Sequence, residues 1–351
     1  MNSNVTLKDF MTPVWGLIVL GLIIGGGVGL YEMFGSHILA TTQVVVFTTP
    51  LVVYIWLALA STGISLLLAY GLLAGNGLIQ RYTRYLLVLD IAVLLGGFAA
   101  LATELGSLLN MIYILLSPNP LSPIWWMGTF YSIKLTLLFV KLALDLMGKH
   151  GPLDRPLAWA TMVVAAGAAM TIGAVFGTMI ARPDYQGAFA SILLVTLAPA
   201  SGVALIVLLR RSAELADWLI PVARQLAGLI AVMLLLQWIY EARATTVGLI
   251  GWVNPLMLVL FAAAALAGGI ASRISAALVM IGSFWVLYGF IITGQLVVQG
   301  PMQGWYGAVT SFAPNLAEIA ILVLGVSVAA AVYHLGRLFL LEGEGATPSH
   351  G

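Results

Sequence analysis

A few acidic and basic residues of this chain stand inside long apolar runs, and their spacing sets what chemistry they can perform. Asp90 and Glu104 fall in one run; Lys134, Lys141 and Asp145 fall in the next; Glu241 closes a later one and Glu318 opens the last. A charged side chain placed in lipid costs roughly 2.5–3.5 kcal/mol on insertion scales, so such residues face a bundle interior or a wet cavity. Held there, carboxylates and amines exchange protons or neutralise one another. Lys134, Lys141 and Asp145 are spaced by seven and then four residues, which aligns them on one stripe of an α-helix. Lys141 and Asp145 are expected to pair near the end of that helix. Glu104 and Lys134 come from adjacent runs at comparable depth and are expected to meet, either as a structural ion pair or as proton exchangers. Asp90 lies near Arg84 and is expected either to supply protons or to cap a helix end.

Long apolar helices must position these groups. The 351 residues are 62% hydrophobic and 8% charged, with a mean hydropathy of +1.08, whereas soluble domains are roughly one-quarter charged. A bilayer crossing takes about 20 apolar residues. Ten runs on that scale lie near 14–34, 48–74, 84–105, 124–147, 157–181, 187–209, 219–240, 247–268, 273–297 and 313–340. The expected fold class is therefore all-α, a polytopic membrane protein with about ten transmembrane helices. No small-residue cleavage site follows the first run, only "LYEMFGSH", so it is expected to be retained as a helix.

Orientation follows from Lys and Arg, which accumulate on cytoplasmic flanks. Eleven of the fourteen basic residues fall on the side of the N-terminus: Lys8, Arg81, Arg84, Lys141, Lys149, Arg155, Arg210, Arg211, Arg224, Arg273 and Arg337. The opposite side has Arg182 and Arg243, and Lys134 lies within a run. An even number of crossings returns the C-terminus to the N-terminal side. Both termini are expected in the cytoplasm, with the chain in the cell (inner) membrane.

The net charge of +1 argues against a nucleic-acid partner, and the absence of Cys excludes disulfides and thiolate-held clusters within this chain. Haem b in a membrane bundle takes two axial imidazoles at matching depth. Here His37 lies in a loop, His150 in another, His350 in the tail and only His334 in a run, so neither haem nor metal is expected.

Runs 2–5 and 6–9 resemble two copies of one four-helix unit. "LALASTGISLLLAYGLL" is similar to "VTLAPASGVALIVLLRR", matching Gly63 to Gly202, and Glu104 in "ALATELG" matches Glu241 in "LQWIYEAR". Shared Gly/Ala composition is the alternative explanation. On the duplication reading, the first four-helix bundle occupies 48–182 and the second 183–297. One flanking helix lies at each end, in 1–47 and 298–351. Four helices restore the chain direction, so the repeats would be parallel and both acids would lie on the side opposite the N-terminus.

Between runs 3 and 4 lies "NMIYILLSPNPLSPIWWMGTF", whose prolines and paired tryptophans suit an ordered crossing at the membrane interface. Extended by "TELGSLL" at its start, it resembles a segment of the NrfD/PsrC family of membrane subunits. Glu104, Leu105, Gly106, Ser122, Pro123 and Gly128 carry the similarity. Pro314 and Glu318 in "YGAVTSFAPNLAEIAILVLG" resemble the opening of the last helix in the ten-helix branch that includes HybB and DsrP. The added first helix, "TPVWGLIVLGLIIGGGVGLY", also suits that branch. Glu104 stands where Asp is more usual, Ser107 where Arg is frequent and Ile124 where Met is usual.

The resemblance implies a quinone-interacting subunit of a respiratory oxidoreductase complex, one with no complete active site of its own. It would work beside a ferredoxin-like iron–sulfur subunit and a larger catalytic subunit, molybdopterin-containing or other. Menaquinone or ubiquinone would be the substrate, in a haem-free pocket of the first four-helix unit. Glu104 is the expected proton exchanger there, with Asn110, Ser122, Tyr131, Lys134 and His37 as neighbours. Asp90, Lys141 and Asp145 are the expected proton route from the N-terminal side, and Glu241 and Glu318 are further acids on the opposite side. A secondary transporter or channel, and a passive membrane anchor, are the competing readings.

Overall fold

Among the described residues, ten apolar helices of 12 residues or more form where the sequence has long runs with few charges, and their ends are written in local chemistry. The computed structural model describes residues 7–105, 108–149, 151–179, 185, 188–244, 251–267, 272–298 and 300–341. The helices are α1 (Pro13–Phe34), α2 (Thr49–Leu73), α3 (Thr83–Glu104), α4 (Pro123–Leu146) and α5 (Asp154–Gly177). They continue as α6 (Phe189–Leu209), α7 (Ala213–Ala244), α8 (Pro255–Leu266), α9 (Ser272–Tyr288) and α10 (Leu316–Gly336). A π-helical turn extends α9 over Gly289–Thr293, and another extends α10 over Arg337–Leu341. Among the described residues, nine of these helices are long and apolar enough to cross a bilayer, and α8 is shorter at 12 residues.

Proline opens α1, α2, α4 and α8 in the first turn, where its missing N–H costs nothing. Asn254 and Asn315 cap α8 and α10 by accepting from Met257 N at 3.2 Å and from Glu318 N at 2.9 Å. At the other ends of α2 and α4, Gly75 and Gly148 take φ of 68° and 64°, a left-handed exit that favours glycine.

The run boundaries agree with the helices to within a few residues, with two exceptions. Helix α7 starts at Ala213 instead of 219; Arg224, inside it on either bound, donates from Nε to the Ala265 carbonyl at 2.9 Å. Helix α8 begins at Pro255, because residues 251–254 have no regular structure and Asn254, in an extended conformation, caps there.

Neighbouring helices close two rings. In one, α2 packs on α3, α3 on α4, α4 on α5 and α5 on α2; in the other, α6, α7, α8 and α9 do the same. The rings meet where α2 packs on α6, flanked by α5 on α6 and α9 on α2. Helix α10 lies on α3 and α2, and α1 covers α10. The α1 contact is close because Gly21 and Gly25 face Ser327 and Leu324 of α10.

Helix α2 reaches the surface at Tyr70 and is buried on all sides from Thr49 to Ser65, with only Trp56 partly exposed, as a helix at the centre of a bundle must be. Around it, large aliphatic side chains such as Leu17, Ile23, Val163, Val232, Leu236 and Ile274 point outward. An envelope of this kind is solvated by hydrocarbon. The chain has the all-helical, multi-pass architecture of a membrane protein.

Candidate functional site

A single stretch of α2, "STGIS", presents three faces. Ser61 and Ser65, one helical turn apart, point at α3; Thr62 points at α4; Gly63 points at α6. The first two faces meet the charged residues of the membrane interior.

Asp90 of α3 and Lys134 of α4 form an ion pair at 3.1 Å with both side chains 0% exposed. Ser61 and Ser65 each donate a short hydrogen bond to one Asp90 oxygen, and the Lys134 ammonium donates to Ser61 Oγ. The carboxylate thus collects three donors, close to its full capacity, and the hydroxyl of Ser61 links amine to acid directly. The face of Tyr131 lies 5.8 Å from Lys134 Nζ, and its hydroxyl lies 3.3 Å from Thr62 Oγ1. Taking both charges from water is offset only by this geometry, and removing either partner would leave a bare charge.

A second cluster lies at the side opposite the N-terminus. Glu104 accepts from the Thr48 backbone N–H at 2.8 Å and from its hydroxyl at 2.6 Å. Glu318, fully buried, accepts from Ala40 N at 2.9 Å and from the Thr49 hydroxyl at 2.6 Å. Glu32 of α1 accepts from Ile38 N at 2.7 Å and bonds His37 Nδ1, while His37 Nε2 bonds Thr41 Oγ1. Gln295 accepts from Val46 N and Phe47 N at 2.8 and 2.9 Å. Three carboxylates from α1, α3 and α10 therefore converge on one connection, residues 35–48.

A third cluster lies at the N-terminal side. Lys141 bonds Asp154, and Arg84 Nε donates to Asp145 at 2.7 Å.

These contacts correct three expected pairings. Glu104 does not meet Lys134; Thr48 takes the former and Asp90 the latter. Asp90 neither caps a helix end nor sits beside Arg84, being sealed among α2, α3 and α4. Lys141 and Asp145 do not pair with each other, because Asp154 and Arg84 offer each a partner from a neighbouring element.

The set named for one pocket accordingly divides. Tyr131 and Lys134 belong to the interior pair, and Glu104, with His37, belongs to the loop cluster. Ser122 lies at the start of α4, its side chain making no capping bond. Asn110 is in the short helix Leu108–Leu116, with its side chain outside the described residues, as are Gly106 and Ser107. Glu241 accepts from Gln237 Nε2 at 3.0 Å and Val253 N at 3.1 Å, tying the end of α7 to the start of α8.

Sequence reasoning passed over Ser61, Ser65 and Glu32. The two serines are spaced i, i+4 in an otherwise apolar run, which was the available signal. Glu32 was hidden at the end of the first run.

The two rings differ in chemistry. At the offsets that match Gly63 to Gly202 and Glu104 to Glu241, the counterparts of Ser61, Ser65 and Asp90 are Ala200, Ala204 and Ala227, all buried. The ionic centre exists in the first ring alone among these positions. Neither any known family model nor any curated protein matches this chain.

Proposed function

We propose that this chain is the quinone-linked membrane subunit of a respiratory oxidoreductase complex, with the Asp90–Lys134 pair as its proton-active centre. The carrying observation is that pair itself: an acid and a base sealed inside a membrane bundle, joined through hydroxyls. Intramembrane ionisable pairs of this kind mark proton paths and substrate sites. Similarity of the Glu104–Gly128 segment to NrfD/PsrC subunits supplies the quinone and the redox partners. On this reading the two rings are duplicated four-helix units, and the first has retained the chemistry.

The roles follow from position. Glu104 and Glu318 hold the 35–48 connection against the ends of α3 and α10, shaping the side where quinone and an iron–sulfur subunit would approach. Asp90 and Lys134 receive protons from the N-terminal, cytoplasmic side through Lys141 and Asp154. A void of ≈ 10 Å³, lined by Leu68, Leu87, Leu138 and Lys141, lies along that path. It has room for about one water. Lys134 and Lys141 are two helical turns apart, about 10 Å. The path is therefore narrow and mostly apolar, which suits a gated step better than an open channel.

Purification of the tagged chain from its native membrane tests the assignment. An iron–sulfur subunit and a larger catalytic subunit should copurify, and the complex should reduce or oxidise a soluble quinone analogue. A chain that purifies alone and drives solute uptake with a proton gradient would instead be a secondary transporter.

A further inference from the structure

A cavity of ≈ 210 Å³ between α2, α3, α6, α9 and α10 takes no part in the proton chemistry above. Its walls include Trp56, Leu89, Leu205, Met280 and Ala330, and it runs along α10 from Val326 to His334, about 12 Å of helix. Hydrocarbon and indole make up most of that length.

The character changes at the mouth on the N-terminal side. Tyr333 and His334 stand on the wall, and Arg337, one turn on, acts electrostatically on both. Arg211, exposed just after α6, interacts with the Tyr333 hydroxyl and with Tyr85. Tyr85 meets Tyr333 edge-on at 6.2 Å between ring centroids. Its side chain is 4% exposed, and its buried hydroxyl has no hydrogen-bond partner. A buried donor without an acceptor calls for one. Nearby Arg210, Arg81 and Arg84 are matched by Asp217, Glu214 and Asp145. Arg211 has no carboxylate in ion-pair range among the described residues.

We propose that this cavity holds one acyl chain of an anionic phospholipid, with the phosphate bound between Arg211 and Arg337. The phenols of Tyr333 and Tyr85 donate to its oxygens. Guanidinium groups favour phosphate through charge-assisted bonds, and basic clusters at the inner leaflet recruit anionic lipid. A headgroup without net charge would leave the charge of Arg211 uncompensated. The inference rests on the membrane placement of the chain and is independent of the quinone reading.

The test titrates the delipidated full chain in detergent with phosphatidylglycerol or phosphatidylcholine and counts bound lipid by native mass spectrometry. Phosphatidylglycerol should bind at least tenfold more tightly, and R211Q/R337Q should abolish that preference. Ala330→Leu, which fills the cavity with the arginines intact, should weaken retention of phosphatidylglycerol as well, and thermal melting reports that each variant is folded. Equal binding of the two lipids overturns the proposal, as does an undiminished preference in R211Q/R337Q. Displacement of phosphatidylglycerol by a long-chain quinone analogue, with no effect of the arginine changes, also overturns it and assigns the cavity to quinone.

Discussion

Lys134 and Asp90 pair at 3.1 Å in the interior of the bundle, and the hydroxyl of Ser61 bridges them. A pair built this way is worth little compared with an apolar replacement, yet either half alone is costly. Lys134→Met and Asp90→Asn should each destabilise the protein by about 3 kcal/mol, since each leaves an uncompensated buried charge. The double variant D90N/K134M should recover most of that loss. Thermal unfolding of the four proteins in detergent measures the coupling, and simple additivity of the two losses would show that the residues do not act as a pair.

The contact between the rings makes a second prediction. A methyl group on Gly63 would strike the Ala198 carbonyl oxygen, and one on Gly202 would lie 2.6 Å from the Gly63 carbonyl carbon and Ile64 N. The obstacle is backbone, which cannot turn aside. Gly63→Ala should cost about 1–3 kcal/mol as an overpacked site. Gly26→Ala, where nothing lies within 4 Å, is the control and should be neutral or slightly stabilising. Melting temperatures that fall equally in both would contradict the close α2–α6 approach.

The carboxylates at the opposite side predict local effects. Glu318→Ala strips partners from Ala40 N and the Thr49 hydroxyl, and hydrogen bonds to a charged group are worth roughly 1.5–3 kcal/mol each. Hydrogen–deuterium exchange should accelerate across residues 38–49 while α6–α8 stay protected. Glu104→Gln keeps an acceptor oxygen for Thr48, so its exchange pattern should change less. An unchanged rate at Ala40 in Glu318→Ala would remove the loop-fastening role.

Much of this architecture is legible in the residues, and the part that is not has a geometric cause. Spans were readable because lipid demands about 20 apolar residues and punishes charges, so α1 to α6 could be bounded to within a few positions. Gly63 and Gly202 stood out in the sequence only as repeat counterparts; that these two glycines meet where α2 crosses α6 came from the fold. Pairing across helices was not readable. Glu104 ends α3, whereas Lys134 lies eleven residues into α4, so their depths differ by about 16 Å, beyond the reach of a lysine stem. Asp90 and Lys134, counted from the N-terminal side, differ by five residues, or about 7 Å, which that stem spans. Helix rotation decided the rest: Ser61 and Ser65 turn toward Asp90, and nothing in a nearly uniform apolar sequence announces that orientation.

The role proposed for the Asp90–Lys134 pair is to handle protons for a quinone reaction. Its most direct test is proton uptake by the complex in proteoliposomes during quinone-linked turnover, comparing wild type with D90N/K134M. The double variant keeps the helices packed while removing both titratable groups. The account predicts that uptake and quinone-linked turnover fall at least tenfold, while the catalytic partner retains its activity with artificial electron carriers. Proton uptake at the wild-type rate in D90N/K134M would contradict it and leave the pair a purely structural link between α3 and α4.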